Sequence, residues 1–442
     1  MILEYSCKNF KSIKDEITFS MIASDTEKDK KNLMDFEGYN INKISAIYGA
    51  NGSGKSNLLK SIIFLCNIIK NNIYSQPGDK LEAKPHKLSE LEKTEYRIQF
   101  IKDNNRYLYG NAFTKDKIFE EYLYCFDKEE NKKLIFKREN ENYKYGDKYK
   151  EELLLTEGMH EENKFLLSVA ANNTKIDEIK KVFLFFKEDI CILGIKDMYS
   201  NNIRNEYFKE TLKSKEMTLD LIRSLNKFGI NVKEIVEKRD EVIEMLERSI
   251  HDVDEALITE DEKESMKIRL RNLIRHSNNN IIEFNYGPFS INAQDESEGT
   301  KLLFQFLPLV KYIIDNDKIL IWDEIESSLH PSIIDTFIES FFDDKSKSQL
   351  IFSTHNINLL DSDLLSKDQI WFTDLRGEER TTDLYSLDDF VGIGKNDNIR
   401  KEYLKGRYGA IPDIKKAYKK IDDSYEKIDK LYDYIDGGFI ND

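Results

Sequence analysis

The sequence has little of what cross-links, coordinates or anchors a chain. Its four cysteines, Cys7, Cys66, Cys125 and Cys191, lie far apart and match no metal spacing. A disulfide framework and a cysteine metal site are therefore not expected, and the thiols read as reduced small hydrophobes of a cytoplasmic protein. The six histidines are scattered, without a metal-type cluster. No run of about 18 apolar residues occurs, so no transmembrane helix and no membrane partner are expected. The start, Met1-Ile-Leu-Glu-Tyr-Ser6, lacks the basic-then-apolar order of a signal peptide. Positive charge is in deficit as well: 67 Lys and Arg face 82 Asp and Glu, a net charge of −15. That argues against a mainly electrostatic grip on nucleic acid, because counterion release needs clustered Lys and Arg. A local basic patch, and so some nucleic-acid contact, stays open.

Charge itself is abundant, at 34% of the 442 residues, as in a soluble protein. The length allows one large domain or two or three ordinary ones. Ile44-Ser-Ala-Ile-Tyr48 reads as an apolar strand, and Leu58, Leu59, Ile62, Ile63, Cys66 and Ile69 have helical spacing. Residues 94–145, rich in Tyr, Phe and Ile with polar alternation, read as antiparallel strands. Residues 160–277 read as mostly helical, with Leu219, Ile222, Leu225 and Phe228 on one face. Val242, Ile243 and Leu246 form another stripe, and Met266, Leu270, Leu273 and Ile274 a third. A polar loop at Ser277-Asn-Asn-Asn280 closes this part. Lys318–Trp322 and Gln349–Phe352 are continuous apolar runs, as expected of buried parallel strands. The expected class is α/β. Residues 1–74 and 281–395 would form the core, 75–159 an antiparallel β part of it, 160–280 a helical insertion and 396–442 a helical tail.

Between that first strand and helix lies Gly49-Ala-Asn51-Gly52-Ser53-Gly54-Lys55-Ser56, which fits G-x-x-x-x-G-K-[ST]. Glycines let the backbone curl until successive N–H groups face a phosphate, and the helix N-terminus adds its positive end. Lys55 would set a point charge on the β and γ oxygens, and Ser56 would offer a hydroxyl to Mg²⁺. Asn57 follows inside the candidate nucleotide-binding stretch. The bland alternative, a Gly-rich turn with an incidental Lys, does not account for the strand before and the helix after.

Lys318-Ile-Leu-Ile-Trp322 ends in Asp323 and Glu324. Beside a phosphate loop, such a strand end would give Asp323 the metal and Glu324 the attacking water, as general base. Glu326 and His330, in Ile325–Pro331, read from the residues alone as a turn with Pro331 opening the next helix. Glu296-Ser297-Glu298-Gly299-Thr300 precedes another apolar helix. Ser297 there is either an ordinary N-cap or, with Gly299, an anion site. Phe352-Ser-Thr-His355-Asn356 ends a buried strand, where His355 is either a loop cap or a γ-phosphate contact.

Taken in order, these four motifs resemble the stand-alone ABC-type ATPases of prokaryotic defence. Those include RloA-like and AbiLi-like abortive-infection proteins, the PARIS-system ATPase and the ATPase half of OLD nucleases. Asp368-Gln-Ile-Trp-Phe372 and Tyr403-Leu-x-Gly-Arg-Tyr-Gly-Ala-Ile-Pro412 look like the RloA-like branch. The resemblance implies an ABC-type head that binds and hydrolyses ATP with Mg²⁺. It also implies a homodimer or higher homo-oligomer that sandwiches nucleotide against Ser297 and Gly299 of the opposite protomer. It makes His355 a switch residue and offers, against the turn, a loop with Glu326 and His330 that crosses the dimer interface. It also implies control of a separately encoded effector, a nuclease or toxin. The signature departs from many relatives in having Glu298. The alternative reading is a RecF-like DNA-repair ATPase.

The tail adds two features. Lys and Arg concentrate at residues 400–420, fit for an acidic partner, for nucleic acid or simply for solvent. Ile414, Tyr418, Ile421, Tyr425, Ile428, Tyr432 and Ile435 step by four and three, a heptad seam for oligomerisation, for effector docking or for packing on its own core.

Overall fold

The computed structural model describes residues 1–24, 32–194, 210–239, 241–256, 259–276, 280–326, 331–342, 345–394 and 397–411. His330, residues 277–279 of the polar loop, Pro412 and the heptad seam from Ile414 lie outside the described residues. Two compact units are formed, one by Met1–Ile190 with Gln349–Asp442 and one by Cys191–Ser348.

The first unit begins with β1 (Ile2–Lys8) and β2 (Ile17–Ser20), then the ribbon β3 (Leu33–Phe36) and β4 (Tyr39–Asn42). Next come β5 (Ile44–Tyr48) and α1 (Lys55–Asn71). The aromatic stretch folds as β6 (Thr94–Lys102), β7 (Asn105–Phe113), β8 (Ile118–Phe126), β9 (Lys132–Glu139) and β10 (Asn142–Tyr145). These strands build a seven-stranded antiparallel sheet in the order β10-β9-β8-β7-β6-β1-β2. Period two explains it: Tyr96, Ile98 and Phe100 of β6 turn inward while Glu95 and Arg97 face water. Asp103 and Asn104 both take left-handed φ, 50° and 57°, which matches the twist of a tight two-residue hairpin between β6 and β7.

Three helices follow, α2 (Lys150–Leu154), α3 (Leu166–Asn173) and α4 (Asp177–Leu184). Beyond α4, Phe185 stacks on Phe100 with centroids 3.9 Å apart. On α1, Leu58, Leu59, Ile62, Leu65 and Ile69 are buried, as the helical spacing requires. The Cys7 and Cys66 thiols are buried, and burial pushes both up to about 12. They are therefore protonated and inert at neutral pH.

The second unit holds β11 (Ile190–Leu193, whose first residue is assigned to the first unit), α5 (Lys215–Lys227), β12 (Glu234–Arg239), α6 (Glu241–Glu255) and α7 (Glu260–His276). It continues with β13 (Asn280–Asn285), β14 (Ser290–Asn292), α8 (Glu298–Asp315), β15 (Ile319–Trp322) and α9 (Pro331–Ser340). Strands β12, β13 and β14 form an antiparallel sheet. Two strands thus interrupt the segment that reads as helical. The face drawn through Leu219 also shifts, since Leu219 is 44% exposed and Leu221, Ile222 and Leu225 turn inward. On α7, Met266 and Leu273 stay more than half exposed, so their stripe is not a core face. Trp322 at the end of β15 packs edge-on against Phe306 of α8 and Phe337 of α9.

The first unit is completed by β16 (Gln349–Ser353), β17 (Ile370–Arg376), β18 (Thr381–Ser386) and α10 (Ile399–Leu404). Here β16 and β17 flank β5 in parallel, and β18 pairs antiparallel with β17. Every residue of β5 and β16 is buried. Tyr403 and Tyr408 stack on Phe372 of β17, which ties the later aromatic motif to this sheet. Among the described residues no helix is long and apolar enough to cross a membrane.

Candidate nucleotide-binding site

Parallel strands bring their C-terminal ends to one edge, the usual place for a ligand in an α/β sheet. Ser353 of β16 is in register with Ile47, and Phe372 of β17 with Tyr48. The loop Gly49–Gly54 and His355 therefore leave the same edge of the first unit. His355 is exposed there. Its neighbour Asn356 caps the following turn, accepting from Asn358 N–H, and its carbonyl accepts from the Tyr48 hydroxyl at 3.2 Å.

The loop has the conformation its glycines permit. Gly52 and Gly54 take φ of 77° and 115°. For Gly54 this is the positive region that L side chains rarely adopt, and a Cβ there would also overlap the Thr382 hydroxyl. Helix α1 starts at Lys55 with no acidic residue in its first turn and no capping side chain. Such a start presents backbone N–H groups and the positive end of the helix dipole to an anion. The Lys55 ammonium, itself buried, donates to the carbonyls of Gly49 at 2.8 Å and Ala50 at 3.1 Å, so it lies folded over the loop. Asn51 and Gly52 are exposed at the loop tip, and Ser56 is half-buried.

Two residues of the candidate stretch 49–57 are turned elsewhere. The Ser53 hydroxyl is buried against Thr373 at 2.6 Å, and the Asn57 amide donates to Ser12 Oγ at 2.7 Å. Sequence reasoning did not find Ser12, Thr373 and Thr382. Single hydroxyls carry no pattern; strand register brings Thr373 and Thr382 to the loop, and Ser12 joins them from a turn whose carbonyl accepts from Thr382 N–H.

The acidic strand end belongs to the second unit. Asp323 is buried, and its N–H donates to Leu193 O of β11 at 3.0 Å. Glu324 is exposed and has a left-handed φ of 53°. That conformation costs a non-glycine residue energy. Ser297 is the N-cap of α8, and its oxygen accepts from Thr300 N–H at 3.2 Å. Both Ser297 readings survive this, since a cap and an anion contact use the same helix start. A Cβ on Gly299 would meet no atom within 4 Å, so packing inside this chain does not demand glycine there. Among the described residues no group of three His, Cys, Asp or Glu could hold a metal alone. Mg²⁺ bound to a nucleotide needs less. A few hard oxygen donors suffice beside phosphate oxygens and water, and Ser56 in the first unit and Asp323 in the second are each donors of that kind.

Several solved structures are similar at low identity. One is an Smc head bound to the C-winged helix domain of ScpA, 14% identical, covering 87% of this chain and 97% of that one, with a TM-score of 0.36. The SMC head domain from Thermotoga maritima is 10% identical, covers 87% and 98%, and has a TM-score of 0.40. A Pyrococcus furiosus Smc head with an extended coiled coil, bound to the C-terminal domain of ScpA, is 15% identical, covers 87% and 96%, and has a TM-score of 0.34. A search of curated proteins gives no match. A family model does match, over residues 44–361, from the strand before the phosphate loop to just past His355. With its α/β fold and phosphate loop, the chain belongs to that ATPase family, described as "AAA domain, putative AbiEii toxin, Type IV TA system".

Proposed function

We propose that this chain is an ATP-binding and ATP-hydrolysing regulatory subunit of a prokaryotic anti-phage, abortive-infection system. It works as a homodimer or higher homo-oligomer that sandwiches nucleotide, and it controls a separate effector, a nuclease or toxin. The observation that carries the ATP site is the acid-free start of α1 behind Gly54, with Lys55 folded over the loop. The family's description, which names an abortive-infection toxin and a toxin–antitoxin system, supports the biological setting.

The loop N–H groups and the first turn of α1 bind the phosphates. Lys55 exchanges its two carbonyl partners for β and γ oxygens, trading neutral acceptors for charged ones. Ser56 and Asp323 would supply oxygen ligands to Mg²⁺, which would neutralise phosphate charge. Glu324 polarises the attacking water as general base, and His355 contacts the γ-phosphate. Ser297 and Gly299 of the opposite protomer close the sandwich over the γ-phosphate, using the helix start of α8. An ATP-dependent change in protomer engagement then holds or releases the effector.

Glu324→Gln tests the chemistry. It keeps the side chain's size and removes its basicity, so ATP·Mg²⁺ affinity should hold within about threefold while turnover falls by roughly 10²–10⁴-fold. Turnover within twofold of the parent would show that Glu324 is not the base. Purification from the native cell tests the regulatory arm: a stoichiometric second protein is expected, and the chain isolated alone would contradict it.

A further inference from the structure

The back of the phosphate loop leans on the hairpin β17–β18. Thr373 and Thr382 are both buried. The Thr373 hydroxyl donates to Tyr48 O at 3.3 Å, so towards Ser53 it accepts, and the Ser53 hydroxyl donates to it at 2.6 Å. The Thr382 hydroxyl donates to Ser53 O at 3.1 Å, so it accepts from Ser12 Oγ at 2.7 Å. Ser12 accepts in turn from Asn57 Nδ2. Each hydroxyl has one hydrogen, so the order is fixed: Asn57, Ser12, Thr382, Ser53 carbonyl. This relay ties the first turn of α1 to the peptide just ahead of it.

The peptide link gives the relay a consequence for ligand binding. In a trans peptide the C=O and the next N–H point to opposite sides. Pinning the Ser53 carbonyl on Thr382 therefore turns the Gly54 N–H away from the hairpin. The fit is close at both ends of the loop. A Cβ on Gly54 would overlap Thr382, and one on Gly49 would lie 2.5 Å from the Thr373 carbonyl. Both threonines lie beyond residue 361, where the family match ends.

We infer that Thr382, with Thr373 and Ser12 behind it, is a positioning residue for phosphate binding that sets the Gly54 amide through the Ser53 carbonyl. This rests on the ATP-site reading above. Its test is the dissociation constant for ATP·Mg²⁺, measured by calorimetry on folded protein for the parent, Thr382→Val, Thr382→Ser and Lys55→Ala. Thr382→Val, which has the same shape without the hydroxyl, should weaken binding about tenfold. Thr382→Ser restores the donor and should bind within about twofold of the parent. A purely structural role would lower the unfolding temperature of Thr382→Val and leave its dissociation constant unchanged. Ser12→Ala, at a half-buried position one step back in the relay, replaces Thr382→Val if that protein does not fold, and should weaken binding about threefold. Parental affinity in the valine variant, or in Ser12→Ala in its place, together with lost affinity in Lys55→Ala, overturns this inference alone. Parental affinity in Lys55→Ala overturns the ATP-site reading and this inference with it.

Discussion

Gly54 concentrates the demands on the phosphate loop. Its φ of 115° and its contact with Thr382 leave no room for a side chain. Gly54→Ala should cost at least about 1–2 kcal/mol from backbone conformation alone, with the overlap added. Urea unfolding should show that loss, and calorimetry should show weakened ATP binding. A different residue, Glu121, contributes a pH dependence of its own. Glu121 is fully buried; its carboxylate accepts from the N–H groups of Leu166 and Leu167 at the start of α3, and from Tyr109 at 3.0 Å. Desolvation nevertheless outweighs these bonds and the nearby Arg138, and it raises the group from 4.5 to about 7. A folded-state value above the unfolded one means that the native state binds more protons within that window. The contribution of Glu121 to stability is therefore complete below about pH 4.5 and lost as pH rises to about 7. Melting temperatures of the parent and Glu121→Gln across pH 5 to 8 test this. The parent's value relative to the variant's should fall with rising pH, and a constant difference would contradict the assignment.

At the scale of elements, α8 separates folding from function. Ser297 caps it, so Ser297→Ala should cost about 1 kcal/mol of stability whatever else the residue does. Gly299 sits in the first turn with open space where a Cβ would go. Gly299→Ala should therefore leave stability unchanged or raise it by up to about 1 kcal/mol, because alanine is the better helix former. If α8 closes over a nucleotide held by the opposite protomer, the same substitution should lower turnover at least tenfold. A stable Gly299→Ala protein with parental turnover would leave Ser297 as a cap and nothing more.

Elements were readable in the sequence where pattern and burial agree. The apolar run Ile44–Tyr48 is β5 to the residue, and the alternation in residues 94–145 became five strands. Strand β11 escaped because four apolar residues carry no period that tells strand from helix. Strand β12, Glu-Ile-Val-Glu-Lys-Arg, is charged enough to pass for a helix surface, and its pairing with β13 supplies what its sequence does not. The stripe through Met266 and Leu273 has helical spacing and lies on a helix, yet the helix leaves it exposed. Spacing predicts the element and not what covers it.

Over the whole molecule, the candidate residues divide between the two units. The phosphate loop and His355 belong to the first, and Asp323, Glu324, Ser297 and Gly299 to the second. Each set was found by local motif, because a phosphate loop and an acidic strand end are short stretches with strong physical requirements. The threonine brace was missed for the opposite reason, since it joins residues 12, 53, 57, 373 and 382 through side-chain contacts between distant segments rather than adjacency. Holding a triphosphate on the loop and on Lys55 comes before every other role proposed. Calorimetric titration of ATP·Mg²⁺ into the parent and into Lys55→Ala tests it most directly. The parent should bind, and losing the ammonium's charged hydrogen bonds should weaken binding by roughly 10–100-fold. Equal affinities, or no binding by the parent, would contradict it.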